Sequence, residues 1–238
     1  EISAHVDQLQ QKHLDTFDQL ADDGSVRTKL QELFDELSKN LLELYSDTKD
    51  NHALRDQILS VGERASALIF AATLSNNGVP AQSFEAQQFV KTDSTFGKAN
   101  VQPDATRSLI KEYLQQSNVV PVVTGFIGSN DDDTITTLGR SGSDYTAGLL
   151  ADALNADHLE IWTDVNGVLS DDPRWVPTAQ SIQELSFGDI TELSAHGAKV
   201  IHPQTIRPIQ DQNTSVLVKN SYNPSHPGTA ITSGYNSN

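Results

Sequence analysis

Apolar residues recur at helical spacing from Ile2 to Leu20, at Ile2, Val6, Leu9, Leu14, Phe17 and Leu20. They do so again from about Ser25 to Tyr45, where Val26, Leu30, Leu33, Phe34, Leu37, Leu41 and Leu44 share one stripe. Ala21-Asp-Asp-Gly24 supplies a polar turn between the two. The pattern predicts an antiparallel helix pair packed on the rest of the chain, in preference to a coiled-coil surface for a partner. After a polar turn at 47–51, the spacing predicts a short helix over about Ala53–Leu59 and a separate one over Val61–Leu74, stopped by Asn76-Asn-Gly-Val-Pro80. The small residues Ala65, Ser66, Ala67, Ala71 and Ala72 admit a close neighbour.

From there strand and helix patterns alternate. Ala81–Ala86 reads as a short strand, Phe89–Asn100 as loop with one further short strand at most, and Pro103 opens a helix through Ala105–Gln116. Val119-Val-Pro-Val-Val-Thr-Gly-Phe-Ile-Gly128 reads as a buried strand ending at a glycine loop. Ser129–Thr134 is a hairpin tip before Ile135–Leu138, and Tyr145–Asn155 has helical spacing. His158–Thr163 is a strand, Asp164–Arg174 a long loop at its C-terminal end, and Phe187–His196 and Pro203–Asp211 are helices. Ser215–Asn220 is the last predicted strand, followed by a tail rich in Pro, Gly, Ser and Asn. The alternation predicts an α/β fold, a three-layer α/β/α sandwich with a mostly parallel sheet, preceded by a helical segment over residues 1–57.

The stretch that organises this pattern is Leu138-Gly-Arg-Ser-Gly-Ser-Asp-Tyr145. Small residues at 139, 141, 142 and 143 permit a tight turn with N–H groups near a ligand, and Ser143 is placed to cap the helix that follows. An oxyanion fits such a helix start. The net charge of −16, from 32 acidic and 16 basic residues, argues against nucleic acid or an anionic membrane as partner. An anionic small ligand therefore relies on a few placed cations and backbone amides. With no cysteine, the 238-residue chain has no disulfide, zinc–thiolate site or cysteine nucleophile. No uninterrupted apolar run approaches the length of about 20 residues that a membrane helix needs, and no signal-peptide pattern opens the chain, so a cytoplasmic protein is expected. The chain starts at Glu1 and has no methionine, from which we expect its true beginning to lie upstream.

Common catalytic motifs are absent. There is no Gly-x-x-x-x-Gly-Lys-[Ser/Thr] run, no Gly-x-Ser-x-Gly elbow around Ser141, and no His-Arg-Asp or Asp-Phe-Gly. His196 and His202 lack a His-Glu-x-x-His frame, and Asp164-Val-Asn166-Gly167 lacks the remaining ligands of a calcium loop. Asp131, Asp132 and Asp133 are adjacent and point in different directions, as in a solvated turn, so no protein metal site is assigned. Phosphate chemistry outside the common nucleotide motifs is left.

Several separated segments agree on one family. Val61-Gly-Glu-Arg64, Thr124-Gly-Phe-Ile-Gly128, Leu138–Tyr145, Ile161-Trp-Thr-Asp-Val-Asn-Gly-Val168, Asp172-Pro-Arg174, Gly197-Ala-Lys-Val-Ile-His-Pro203, Lys219-Asn220 and Gly228-Thr229 resemble, in family order, the aspartokinase catalytic domain of the amino-acid kinase superfamily. The likeness covers about residues 58–232. Phe96-Gly-Lys-Ala99 leans toward the monofunctional, lysine-inhibited type.

The resemblance implies ATP-dependent phosphorylation of the L-aspartate side-chain carboxylate, with magnesium carried by the nucleotide. It places Glu63, Phe126, Arg140, Ser143 and Asp144 at the substrate. Arg140 takes the α-carboxylate, Glu63 and Asp144 contact the amino group or organise the site, and Phe126 and Ser143 line the pocket. It places Thr163, Asp164, Leu169, Arg174, Lys199 and Val200 at the nucleotide, with Lys199 and Asp144 as the catalytic pair. Leu169 stands where the family commonly has a tyrosine beside the adenine.

The family opens with a strand bearing Lys-Phe-Gly-Gly, absent from these residues, and closes with regulatory ACT domains that are also absent. The expected organisation is thus one catalytic domain over 1–232 lacking that strand, then a tail over 233–238, from a protein that is a homo-oligomer at full length. Two alternatives stay open: a non-catalytic ligand-binding or regulatory fragment of the same fold, and a kinase for another small carboxylate or carbamate.

Overall fold

A computed structural model describes residues 2–47, 51–171, 175–176, 178–195, 201, 203–212 and 214–234. The chain packs as two compact units, Glu1–Ser143 and Asp144–Asn238.

In the first unit, α1 (Ile2–Leu20), α2 (Gly24–Ser46) and α3 (His52–Asn76) share one core of Val6, Leu14, Phe17, Leu30, Leu33, Phe34, Leu37, Val61, Ala65 and Ala72. The predicted stripe of α2 is the packed one, whereas on α1 only Ile2, Val6, Leu14 and Phe17 of the predicted stripe reach the core, Leu9 and Leu20 being exposed. Asp23 caps α2, accepting the N–H groups of Ser25 and Val26 at 2.9 and 3.2 Å. The two helices expected over 53–74 are instead one. Ser60 and Gly62 look like a break on propensity, yet the Ser60 hydroxyl donates back to the Gln57 carbonyl at 2.7 Å, and the buried face runs from Leu54 through Ala72. By length and composition alone α3 is apolar enough to cross a membrane, unlike the expectation from uninterrupted runs; here Val61, Ala65 and Ala72 on one of its faces join the core with α1 and α2.

β1 (Ala81–Phe84) pairs in parallel with β2 (Val120–Val123), and α4 (Pro103–Leu114) lies between them in sequence. The single buried strand expected over 119–128 is corrected to two. Val120 is 46% exposed, and the backbone leaves the extended region at Phe126, whose φ is 68°, before β3 (Ile127–Ser129) begins. β3 forms the expected hairpin with β4 (Ile135–Thr137). At its tip the Asn130 side chain accepts N–H groups from Asp132 and Thr134, Lys91 pairs with Asp133 at 2.8 Å, and Gln102 donates to Asp131. The aspartates are thus turn and surface groups.

In the second unit, α5 (Gly142–Leu154, whose first two residues belong to the first unit) precedes β5 (His158–Thr163). β6 (Glu184–Ser186), α6 (Phe187–Ala195), α7 (Pro203–Ile206), β7 (Ser215–Asn220) and β8 (Thr229–Thr232) complete it. The sheet order is β5-β7-β8-β6, with β5–β7 and β6–β8 parallel and β7–β8 antiparallel. β6 was not expected, and β8 lies in what read as an irregular tail; each is only three or four residues long, too short to show alternation. The helix expected over 203–211 shortens to α7 and a 3-10 turn at Arg207–Ile209, where Pro208 removes a donor. Leu159, Val168, Phe187, Ile190, Ile206, Ile209, Val216, Val218 and Ile231 form the core.

Candidate functional site

Two loops of the first unit meet over α3. Glu63 reaches them from the helix: its Oε1 accepts the Gly125 N–H at 3.0 Å and the Ser143 hydroxyl at 3.1 Å. Ser143, expected as a helix cap, sits in the first turn of α5 and donates to this carboxylate. The loops touch so closely that a Cβ on Gly125 would lie 2.7 Å from the Ser143 Cβ, and one on Gly142 would lie 2.9 Å from Phe126 Cδ2. Leu138 donates its N–H to the Phe126 carbonyl at 2.8 Å, and Gly142 to the Gly139 carbonyl at 3.1 Å. Phe126 and Ser141 hold φ of 68° and 55°, a left-handed conformation that non-glycine residues adopt only where the surroundings enforce it.

Arg140 stands at the crown of this turn, exposed and with no ion pair among the described residues. Glu63, Phe126 and Ser143 are therefore set close together by one helix and two short loops, and Arg140 lies in the second of those loops. The sequence reading missed Gly125, whose N–H and missing side chain are both used.

Asp144 follows Ser143 and begins the second unit. Burial pushes its carboxyl above the usual aspartate value. An acid raised by folding stabilises the protein below its unfolded value of 3.8, and that stability is lost as pH rises through the folded value. Asp144→Asn is accordingly expected to raise the melting temperature at pH 7, with the gain vanishing below pH 3.8; thermal melts across that range check it.

The expected nucleotide residues of the second unit lie where β5 and β7 end. The Thr163 hydroxyl donates to Asp164 at 3.2 Å, and the Ser221 N–H donates to the Thr163 carbonyl at 2.8 Å. Asn166 accepts from Asn220 at 2.8 Å and from Asn223 at 3.3 Å, which ties the β5 loop to the β7 loop. Gly167, with φ of 94°, lets the chain pass over Thr229, whose hydroxyl accepts the Val168 N–H and donates to the Ile182 carbonyl. Leu169 follows, half-buried and bridged to Ser181. Crevices beyond the carboxyl ends of parallel strands are where open α/β sheets take ligands. Asp164 is an exposed carboxylate here, and Tyr222 is 86% exposed in the same loop cluster. Arg174, Lys199 and Val200 lie outside the described residues.

A cavity of about 470 Å³ adjoins Arg64, one residue from Glu63; there Arg64 pairs with Glu85 at 2.9 Å and with Glu36 at 3.3 Å.

Residues 12–220 match the model of the Amino acid kinase family. The chain belongs to the amino acid kinase family. Within it, the chain is 42% identical over 185 residues to Aspartokinase 2, chloroplastic, of Arabidopsis thaliana, covering 75% of this chain and 34% of that protein. It is 41% identical over 181 residues to Lysine-sensitive aspartokinase 3 of Escherichia coli, covering 75% of this chain and 40% of that protein. Its fold superposes on the crystal structure of E. coli aspartokinase III in complex with aspartate and ADP with a TM-score of 0.91 at 33% identity, over 98% of this chain and 52% of that one. The chain thus spans between about a third and a half of the length of these relatives. The α/β fold expected from the alternation is the fold of this family.

Proposed function

We propose that the protein transfers the terminal phosphoryl group of ATP to the side-chain carboxylate of L-aspartate, giving 4-phospho-L-aspartate, the first step toward lysine, threonine and methionine. The observation that carries the reading is that the Glu63 carboxylate of α3 ties together two touching loops, one of which carries Arg140, a guanidinium with no ion pair among the described residues. An amino acid presents one ammonium and one α-carboxylate, and these two side chains offer the complementary signs. The likeness to a kinase crystallised with aspartate and ADP supports the same substrates.

The acceptor carboxylate is ionised at neutral pH, so no general base is required; the protein's task is to align acceptor with donor and to offset charge. Arg140 takes the α-carboxylate through its planar fork, Glu63 takes the ammonium, and Phe126 and Ser143 close the pocket around the side chain. Asp144, next in the chain to Ser143, is assigned by the family motif to the amino group or to organising the site. Thr163, Asp164 and Leu169 hold the nucleotide, with Leu169 packing on the base as an aliphatic surface; Arg174, Lys199 and Val200 complete that set, Lys199 offsetting phosphate charge in the transition state. Magnesium belongs with the nucleotide: the described residues contain no group of three or more acidic or histidine side chains to hold it alone, and the exposed Asp164 suits the one protein carboxylate such an ion commonly takes beside phosphate oxygens. When bound, it neutralises charge on the transferring group. The reading makes the protein a cytoplasmic homo-oligomer at full length, with small-molecule partners and neither nucleic acid nor membrane.

Acyl phosphates are captured by hydroxylamine, so incubation with ATP, magnesium and L-aspartate is expected to yield the aspartyl hydroxamate. ATP consumption without hydroxamate would overturn the reading. Arg140→Ala is expected to weaken L-aspartate binding by about 2 kcal/mol, roughly thirtyfold, while leaving ADP binding unchanged. Calorimetry with each ligand checks this; equal losses for both would contradict the assignment.

A further inference from the structure

α3 carries a second carboxylate that the proposed chemistry does not use. Asp56 lies seven residues before Glu63, two helical turns or about 10 Å along the same face. It is 1% exposed and pairs with no cation among the described residues. Its Oδ2 accepts two backbone N–H groups, from Gly97 at 2.9 Å and Thr137 at 2.7 Å, while its Oδ1 accepts the Thr137 hydroxyl at 3.0 Å.

These bonds fall at the start of the Arg140 turn and on the Gly97 loop beside it. Thr137 ends β4, three residues before Arg140, and its carbonyl accepts the Ala99 N–H at 2.9 Å. Gly97 abuts the turn itself: a Cβ on Gly139 would lie 3.2 Å from the Gly97 carbonyl oxygen. Gly97 and Gly139 both have positive φ, 81° and 77°, so neither segment is held by ordinary strand or helix geometry. Asp56 supplies the hold. Glu63 then fixes the far end of the same turn through Ser143.

We propose that Asp56 is a positioning residue for the substrate site, fixing the start of the 137–143 turn so that Arg140 is preset for the α-carboxylate, with α3 acting as a ruler between its two carboxylates. Buried carboxylates that accept several N–H groups make strong, directional anchors, and a misplacement of about 1 Å at a binding group is worth up to about a hundredfold in rate. The inference rests on the proposed aspartate site for its functional consequence, and on the Asp56 bonds alone for its structural one.

Two measurements on the 238-residue chain separate these. In amide hydrogen exchange, Asp56→Ala is expected to lose protection at Gly97 and over 137–143, while the α1–α2–α3 core and the Gly125 amide stay as in the parent chain. In calorimetry, the same variant is expected to bind L-aspartate about tenfold to a hundredfold more weakly, with ADP affinity within about twofold of the parent. Asp56→Asn, which keeps an oxygen for the two N–H groups and offers its amide N–H to the Thr137 oxygen, is expected to restore both. Thr137→Val, which removes only the hydroxyl donor, tests the same anchor with little risk to folding and is expected to shift both readouts in the same direction by less. Unchanged exchange over 137–143, or a loss spread evenly over the whole first unit, would overturn the proposal. So would parent-like aspartate affinity in a folded Asp56→Ala chain. A parent chain that binds no L-aspartate would sink the functional reading instead, leaving hydrogen exchange to decide the anchor.

Discussion

Alanine at position 228 is expected to destabilise the second unit by about 3 kcal/mol or more, a large part of the 5–15 kcal/mol that typically holds a domain folded. Gly228 has a φ of 77°, and a Cβ there would lie 2.0 Å from the Val218 carbonyl oxygen and 3.0 Å from its carbon. The left-handed conformation alone costs about 1 kcal/mol or more for a residue with a Cβ. The contact is worse, because the obstructing atoms are backbone. Val218 pairs with Thr229 in the β7–β8 ladder, so relief requires the two strands to part where β8 begins. The same motion would disturb Thr229, whose hydroxyl ties down the Val168 N–H and the Ile182 carbonyl. Urea unfolding of Gly228→Ala against the parent chain measures the loss. A change below about 1 kcal/mol would mean that the turn relaxes freely and that the packing of β8 on β7 is looser than described.

Glu63→Ala is expected to weaken L-aspartate binding by about 3 kcal/mol, more than a hundredfold, for two separable reasons. It removes the negative charge that the proposal sets against the substrate ammonium, and it strips the acceptor that joins Gly125 to Ser143. Glu63→Gln separates them: the amide oxygen still accepts both bonds at 3.0 and 3.1 Å, while the charge is gone. Gln is therefore expected to lose about tenfold and to keep the loop geometry, whereas Ala loses both. ADP affinity is expected to stay unchanged in each. Equal aspartate affinities for Gln and Ala would assign the whole effect to loop geometry and remove Glu63 from charge recognition.

Much of this was readable from sequence because long amphipathic helices advertise their buried faces. The stripe through Leu30, Leu33, Phe34 and Leu37 is the packed one, and His158–Thr163 and Ser215–Asn220 are strands with the expected bounds. The short strands β6 and β8 were missed because they have too few residues to alternate and carry no hairpin or turn signal like the one that marks β4. The break predicted between Leu59 and Val61 failed because tertiary packing of α3 outweighs the local preferences of Ser60 and Gly62. At the site, the candidate residues were picked out by type and motif, and the structure joins Glu63 to Ser143 and sets Phe126 beside Gly142, in the turn that carries Arg140. Gly125 and Asp56 were not. Their roles rest on backbone N–H groups, which leave no mark in a sequence; the one available signal was the seven-residue spacing of two carboxylates on a helix.

The measurement that bears most directly on the function is ADP release from ATP and magnesium in the presence of L-aspartate, run beside a small panel of other carboxylates and carbamate. The account predicts release that requires an acceptor, is strongest with L-aspartate and falls when Arg140 or Glu63 is replaced. Release that is indifferent to the acceptor, strongest with another carboxylate or carbamate, or absent although both L-aspartate and ATP bind, would contradict it.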